Sequence, residues 1–316
     1  MAFEILLFLA GILILIKSSD LAIRYAVRLS HETGINEMAI GFILIAVGTS
    51  LPELAIAVLS SVRGEGLLSF GNVVGANVTN LTLIFGLMSM FGLRLSSRDA
   101  EKSTAAIIIT TIIGLMLLAL GGADLAFGLF LLIVFYAFSS MVMKEGIKIR
   151  NSSKGNKGKE KGHFDGLASR HLIYLLASIA VVVASAHLVT NSAIQIAQQL
   201  GVAQALIGAT VLAIGTTLPE LSVCTVAIRR RNVDLAVGNA IGSVITNITL
   251  IVGVAALINP IAIGMVSRTA LVAMIAVNLI FIYFITRRTF RPLEGIVLWA
   301  IYVFYMMVML MIGALS

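Results

Sequence analysis

The chain has 316 residues, of which 59% are hydrophobic and only 12% are charged. A soluble domain does not need so apolar a composition to form its core, so the composition excludes that class and indicates a polytopic membrane protein. The net charge of +7 would suit nucleic acid or another acidic partner, but the basic residues form no single patch and follow the membrane topology instead. With one cysteine, Cys224, no disulfide can form within the chain.

Ten apolar segments of roughly 20 residues, the length that crosses a bilayer, follow one another along the chain. No basic residue precedes the first segment and no cleavage pattern follows it, so we predict a retained helix rather than a signal peptide. The expected structure is therefore an all-α membrane protein with ten transmembrane helices in two sets of five. The predicted spans lie near 3–23, 36–60, 67–91, 103–121, 124–143, 170–190, 203–227, 234–257, 269–286 and 293–314.

The distribution of basic residues predicts the orientation of these spans. Lys and Arg occupy alternate loops, with 20 of the 22 on one side of the predicted membrane. By the positive-inside rule that side is cytoplasmic, and both termini lie outside. We expect two five-helix units, 1–143 and 170–316, joined by a flexible, basic cytoplasmic linker at 144–169. Because each unit has an odd number of spans, the second enters the membrane in the opposite orientation, as in the inverted repeats of secondary transporters.

One segment occurs in both units. Residues 41–87 and 208–254 align without a gap at an offset of 167, with 19 of 47 positions identical. The identities fall largely on polar and structural residues rather than on the apolar positions. Each copy also carries one glutamate within an apolar helix-length run, Glu53 and Glu220. A carboxylate near the middle of a bilayer costs at least about 2.5 kcal/mol, so its presence twice at equivalent positions indicates function.

The sequences VGTSLPE at 47–53 and IGTTLPE at 214–220 predict a break in each helix. Proline removes one helical hydrogen bond, and irregular backbone at this depth is tolerated where it lines a cavity or binds an ion. Hydroxyl residues three and four positions before each glutamate share its helix face. We expect an oxygen cluster at each break.

The following span contributes GNVVGANVTN at 71–80 and GNAIGSVITN at 238–247. Ser243 and Asn247 share a helix face, whereas the first copy has Ala76 and Asn80, so one hydroxyl is missing there. These motifs contain hard oxygen donors and no Cys, His or Met, which argues against zinc, copper or iron. Calcium accepts about six to eight oxygens in flexible geometry. Two carboxylates would balance one Ca²⁺ or two Na⁺.

On these motifs the chain resembles the calcium:cation antiporter superfamily, and within it the prokaryotic sodium/calcium exchangers, whose two alpha repeats match 41–87 and 208–254. The resemblance implies an inverted ten-helix fold, alternating access to a central site, and Ca²⁺ extrusion driven by Na⁺ entry. It implies a transporter rather than an enzyme, with no cofactor beyond the transported ions. The implied ion ligands are the carboxylates of Glu53 and Glu220, the side chains of Thr49, Thr216, Ser50, Thr217, Ser243, Asn80 and Asn247, and the backbone carbonyls of Ala46 and Ala213.

Two departures from the family pattern leave the counter-ion and the stoichiometry open. Asn247 stands where exchangers of this type commonly have an acid, and Ala76 stands where they have a serine. A Ca²⁺/H⁺ or potassium-dependent antiporter is the main alternative, and a passive cation channel, which also uses acidic residues and carbonyls, is another. An intramembrane hydrolase is disfavoured because no His, Ser–Lys or metal constellation accompanies the carboxylates. The expected partners are Ca²⁺, Na⁺ or H⁺, and the bilayer, without nucleic acid or an obligate protein partner.

Overall fold

The computed structural model describes residues 2–64, 66–153, 166–200 and 213–315. The first repeat contains α1 (Ala2–Thr33), α2 (Glu37–Ile40), π1 (Gly41–Ala46), α3 (Val47–Thr49), α4 (Leu51–Val62), α5 (Gly66–Thr79), π2 (Asn80–Ile84), α6 (Phe85–Ser89), α7 (Ser97–Leu120) and α8 (Leu125–Ser153). The second contains α9 (Gly166–Gln199), α10 (Ala213–Thr216), α11 (Leu218–Arg229), α12 (Val233–Ile245), π3 (Thr246–Ile251), α13 (Val252–Ile258), α14 (Met265–Thr286) and α15 (Pro292–Leu315). The strands are β1 (Leu93–Arg94), β2 (Gly122–Ala123), β3 (Ile261–Ala262) and β4 (Thr289–Phe290).

The predicted all-α membrane class is confirmed. Within the described ranges, eight helices are long and apolar enough to cross a bilayer, and a bent pair of helices adds a ninth. Residues 203–212 of the predicted span 203–227 and residues 154–165 of the predicted linker lie outside the described residues, and the rest of the linker extends α8 to Ser153 and begins α9 at Gly166. Helices α1 and α9 are about ten residues longer than predicted, since they continue past the apolar segment into polar sequence. At the start of this extension in α1, Arg24 forms an ion pair with Asp20, which lies 3.0 Å away and one helical turn earlier.

The repeated segments form the centre of the molecule. In the segments Phe70–Ser89 and Val233–Ile258, 72% and 78% of the most apolar window is buried, against 28% and 39% for the spans that contain α1 and α9. Helices α1 and α9 pack along each other at the periphery. The centre of the protein is therefore made from the helices that carry the polar motifs.

Close helix packing holds this centre together. Helix α12 lies directly against π1 and α2. A Cβ atom built on Gly238 would lie 2.4 Å from the Met38 carbonyl oxygen, and one on Gly41 would lie 2.6 Å from the Leu235 carbonyl oxygen. Only glycine permits this backbone approach, which brings the two repeats together beside the polar motifs.

Two short antiparallel ribbons tie the repeats at their ends. Strand β1 pairs with β4, and β2 pairs with β3, so each ribbon takes one strand from each repeat. The transmembrane helix α7 lies between β1 and β2 in the chain. The two ribbons therefore fasten the repeats at opposite ends of the helices.

Candidate cation-binding site

Both predicted helix breaks are present. Helix α3 ends at Thr49 and α4 begins at Leu51, and the helices on either side of Ser50 are bent by 45°. In the second repeat α10 ends at Thr216 and α11 begins at Leu218. Ser50 has φ −83° and ψ 8°, and Thr217 has φ −94° and ψ 4°, both in the bridge region that interrupts a helix. Each proline follows its break within the first turn of the new helix, where its missing amide hydrogen costs nothing.

The breaks bring the two glutamates to one site. Glu53 and Glu220 each have 1% of their surface exposed, and the Glu53 carboxylate lies close enough to Glu220 for their charges to repel. One oxygen of each carboxylate, Oε2, has no hydrogen-bond partner within the described ranges. Two buried carboxylates in this arrangement require a compensating positive charge, because an isolated buried anion is very costly.

Hydroxyl groups surround one of the two carboxylates. Oε1 of Glu220 accepts hydrogen bonds from the Ser50 hydroxyl at 3.1 Å and from the Ser243 hydroxyl at 3.3 Å. The two hydroxyl oxygens lie 3.3 Å apart. Spacing along the helix placed Ser50 with Glu53, yet its hydroxyl bonds to the glutamate of the other repeat. Ala76 occupies the position equivalent to Ser243, so the corresponding hydroxyl near Glu53 is absent.

The threonines flank the same centre. The Thr49 hydroxyl bonds to the Ala46 carbonyl and to Oδ1 of Asn239, both at 3.3 Å, and it also interacts with Glu220. The Thr217 hydroxyl donates to the Ile214 carbonyl at 3.0 Å. Thr216 is 8% exposed beside this bend. The backbone of Ala213 begins α10, while its side chain lies outside the described set.

The predicted amides lie where π segments begin. Asn80 is the first residue of π2, and Asn247 is the second residue of π3. Such π segments are frequent at functional sites because they shift the hydrogen-bond ladder of the helix. Both side chains are 1% exposed. In the part of the chain that the structure covers, Asn247 Oδ1 and both polar atoms of Asn80 have no hydrogen-bond partner.

Two further asparagines belong to this polar cluster and were not among the predicted site residues. Asn239 accepts a hydrogen bond from the Thr49 hydroxyl and donates one to the Cys224 sulfur at 3.2 Å. Asn77 accepts a hydrogen bond from Asn247 Nδ2 at 3.0 Å. Asn239 was visible as a residue shared by the two repeats, so it could have been included. Asn77 aligns with Val244, and comparison of the repeats therefore gave no signal for it.

The chemistry of this cluster fits a hard cation. Its unpartnered buried oxygens belong to two carboxylates and two amides, and the hydroxyl of Thr246, the residue before Asn247, is a further one. Oxygen ligands of these types are those that Ca²⁺ accepts in flexible geometry. The described residues contain no group of three or more His, Cys, Asp or Glu side chains that could hold a metal ion. Within the described residues, the two carboxylates therefore lie among neutral oxygens rather than beside a third acid.

A central cluster of buried oxygens between repeated, broken membrane helices defines a membrane transport protein. The chain matches the family model described as sodium/calcium exchanger protein over residues 3–144 and 170–311. The chain belongs to this family, whose members are transporters and not enzymes.

Several proteins are similar to this chain over most of their length. The sodium/calcium exchanger MaX1 of Methanosarcina acetivorans is 31% identical over 96% of this chain and 97% of its own. The inner membrane protein YrbG of Escherichia coli is 27% identical over 92% of this chain and 91% of its own. Among solved structures, the sodium-calcium exchanger NCX_Mj has the same fold, with a TM-score of 0.81 and 24% identity over 95% of this chain and 97% of that one.

Proposed function

We propose that this protein is a secondary antiporter that exchanges Ca²⁺ for Na⁺ across the membrane by alternating access to the central site. The observation that supports it most directly is the pair of buried glutamates, each with an unpartnered carboxylate oxygen. MaX1, which is similar over nearly the whole chain, is named a sodium/calcium exchanger. The pair must be neutralised by one cation or another, and this requirement couples the departure of one ion to the arrival of the next.

In this proposal Glu53 and Glu220 supply the charge that binds Ca²⁺, and neutral oxygens complete the ligand set for Ca²⁺ and Na⁺. Two carboxylates balance one Ca²⁺ or two Na⁺, so a third Na⁺ would leave an uncompensated charge. The neutral ligands are the side chains of Thr49, Thr216, Ser50, Thr217, Ser243, Asn80 and Asn247 and the backbone carbonyls of Ala46 and Ala213.

The membrane topology that we propose is based on the sequence. The two transport units are 1–143 and 170–316, joined by the basic linker 144–169. The basic loops and the linker face the cytoplasm, and both termini face outside. The protein functions in the bilayer without an obligate protein partner.

Flux through proteoliposomes tests this function. Purified protein is reconstituted with Na⁺ inside, and uptake of radioactive Ca²⁺ is followed after dilution into Na⁺-free buffer. We expect uptake that follows the Na⁺ gradient and disappears when the gradient is collapsed. Uptake that follows only a pH or K⁺ gradient would show that H⁺ or K⁺, rather than Na⁺, is the counter-ion. Ca²⁺ conductance without any counter-ion dependence would contradict an antiporter.

Neutral variants test the two glutamates. Glu53→Gln or Glu220→Gln removes one of the two charges that attract Ca²⁺, so we expect uptake to fall to background while the thermal unfolding temperature does not decrease. Glu101→Gln is the matched control, because Glu101 is an exposed glutamate on α7. Unchanged Ca²⁺ uptake in both site variants would contradict the assignment of the site.

A further inference from the structure

Asn77 is a buried asparagine whose whole amide group is engaged. It lies on α5 with 0% exposure. Its Nδ2 donates to the Val244 carbonyl at 3.0 Å and lies 3.8 Å from the Met274 sulfur, while its Oδ1 accepts from Asn247 Nδ2 at 3.0 Å. Rotating the amide by half a turn would place oxygen against the Val244 carbonyl and nitrogen against the Asn247 nitrogen. The surroundings therefore fix one orientation of Asn77.

This orientation determines which atom of Asn247 is available to an ion. Because Asn247 Nδ2 donates to Asn77, the amide of Asn247 cannot turn without losing a buried hydrogen bond. The remaining atom, Oδ1, is buried and has no hydrogen-bond partner among the described residues. An amide nitrogen repels a cation, whereas an amide oxygen binds one. Asn77 thus leaves the cation-binding end of Asn247 free.

The repeats provide an internal comparison. Asn80 is equivalent to Asn247, and the residue equivalent to Asn77 is Val244, which has no polar side-chain atom. As expected from that difference, both Nδ2 and Oδ1 of Asn80 have no hydrogen-bond partner within residues that the structure describes. One amide of the pair is therefore held by a hydrogen bond, and the other is not held by one within the described residues.

We propose that Asn77 is a positioning residue of the ion site, which holds Asn247 with its oxygen directed to the transported cation. Asn77 acts through Asn247 and does not itself bind the ion. The proposal rests on the proposed function, since it assigns Asn247 to the ligands of that site. Its value to binding is preorganisation: the Asn247 oxygen does not have to be reoriented when the cation arrives.

A double-mutant cycle tests this role. Asn77→Val introduces the residue that the other repeat carries, Asn247→Ala removes the proposed ligand, and the third variant combines them. The readout is the apparent Kd for Ca²⁺, and separately for Na⁺, from the cation-dependent rise in the thermal unfolding temperature of purified protein. We expect Asn77→Val to weaken Ca²⁺ binding about fivefold to tenfold, the loss of one buried hydrogen bond. In the Asn247→Ala background the same change should have less than about a twofold effect, because the residue it positions is gone.

Asn278→Val is the matched control. Asn278 is also fully buried and donates to Thr110 and Thr111 at 3.2 and 3.0 Å, outside the polar cluster. We expect it to lower the unfolding temperature without changing the apparent Kd for Ca²⁺. The proposal is wrong if Asn77→Val leaves the affinity unchanged, if its effect persists in the Asn247→Ala background, or if Asn278→Val weakens binding equally. Because the readout is binding, a wild-type protein that binds Ca²⁺ without exchanging it would overturn only the proposed function.

Discussion

Removal of the Ser243 hydroxyl tests whether this group binds the cation or only stabilises a carboxylate. In the structure the hydroxyl donates to Glu220 Oε1 at 3.3 Å, which is long for a hydrogen bond to a carboxylate. Ser50 donates to the same oxygen at 3.1 Å and remains in a Ser243→Ala variant. The lost hydrogen bond is therefore worth about 0.5 to 1 kcal/mol in the cation-free protein.

The two roles predict opposite signs. If Ser243 only stabilised the free carboxylate, its removal would raise the energy of the cation-free state and tighten Ca²⁺ binding. If its oxygen also faces the bound ion, the variant loses an interaction with a charged group worth about 1.5 to 3 kcal/mol. The second contribution is larger by about 1.4 kcal/mol, so we expect Ser243→Ala to weaken Ca²⁺ binding about tenfold.

Thermal shift titration with Ca²⁺ and the initial rate of Na⁺-driven Ca²⁺ uptake measure this effect. Ser89→Ala is the matched control, because Ser89 is also buried but its hydroxyl bonds to the Phe85 carbonyl of its own helix at 2.6 Å. Its apparent Kd should equal that of the wild type. Tighter or unchanged Ca²⁺ binding in Ser243→Ala would refute the assignment of Ser243 as a ligand.

Two further predictions concern the packing and the topology. Gly238→Ala would place a Cβ atom 2.4 Å from the Met38 carbonyl oxygen and should destabilise the protein by about 1 to 3 kcal/mol. Gly66→Ala, whose Cβ would make ordinary contact with Ile261 at 3.6 Å, should keep the wild-type unfolding temperature, and equal unfolding temperatures for the two variants would contradict the packing argument. The proposed topology places Arg63 outside and Arg98 in the cytoplasm. In a Cys224→Ala background, a membrane-impermeant thiol reagent added to intact cells should therefore label the Arg63→Cys variant but not the Arg98→Cys variant. Labelling of Arg98→Cys but not of Arg63→Cys would contradict the proposed topology.

The membrane class could be predicted from the composition, and the meeting of the two glutamates could be predicted from the repeat. Inverted-repeat transporters place their site between the two copies, so Glu53 and Glu220, which lie at equivalent positions, were expected at one site. The hydrogen bond from Ser50 to Glu220 could not be predicted in this way. Helical spacing shows which residues of one helix share a face, but the partner across the axis depends on how the two broken helices dock. The lengths of α1 and α9 were underestimated because the prediction counted only apolar residues.

Asn77 could not be predicted by comparing the two copies of the repeat. Comparison of the copies selects residues that both share, whereas Asn77 matters in the structure because Val244 differs from it. The difference between Ser243 and Ala76 was visible in the repeat, but Cys224, which stands opposite Ala57, is a second position like Asn77. Such positions become interpretable only when their contacts are known.

At Ser243, Cys224 and Asn77, the polar residue that only one copy carries forms a hydrogen bond with a side chain of the second repeat. Ser243 donates to Glu220, Cys224 accepts from Asn239, and Asn77 accepts from Asn247, so each of these three residues bonds to a side chain of the second repeat. The equivalent side chains of the first repeat are Glu53, Asn72 and Asn80, and four of their buried atoms have no hydrogen-bond partner in the described ranges, against two in the second repeat, Glu220 Oε2 and Asn247 Oδ1. A buried polar group without a partner is costly, and for the oxygens a bound cation removes that cost. Hydrogen bonds therefore satisfy more of the polar atoms of this cluster in the second repeat than in the first.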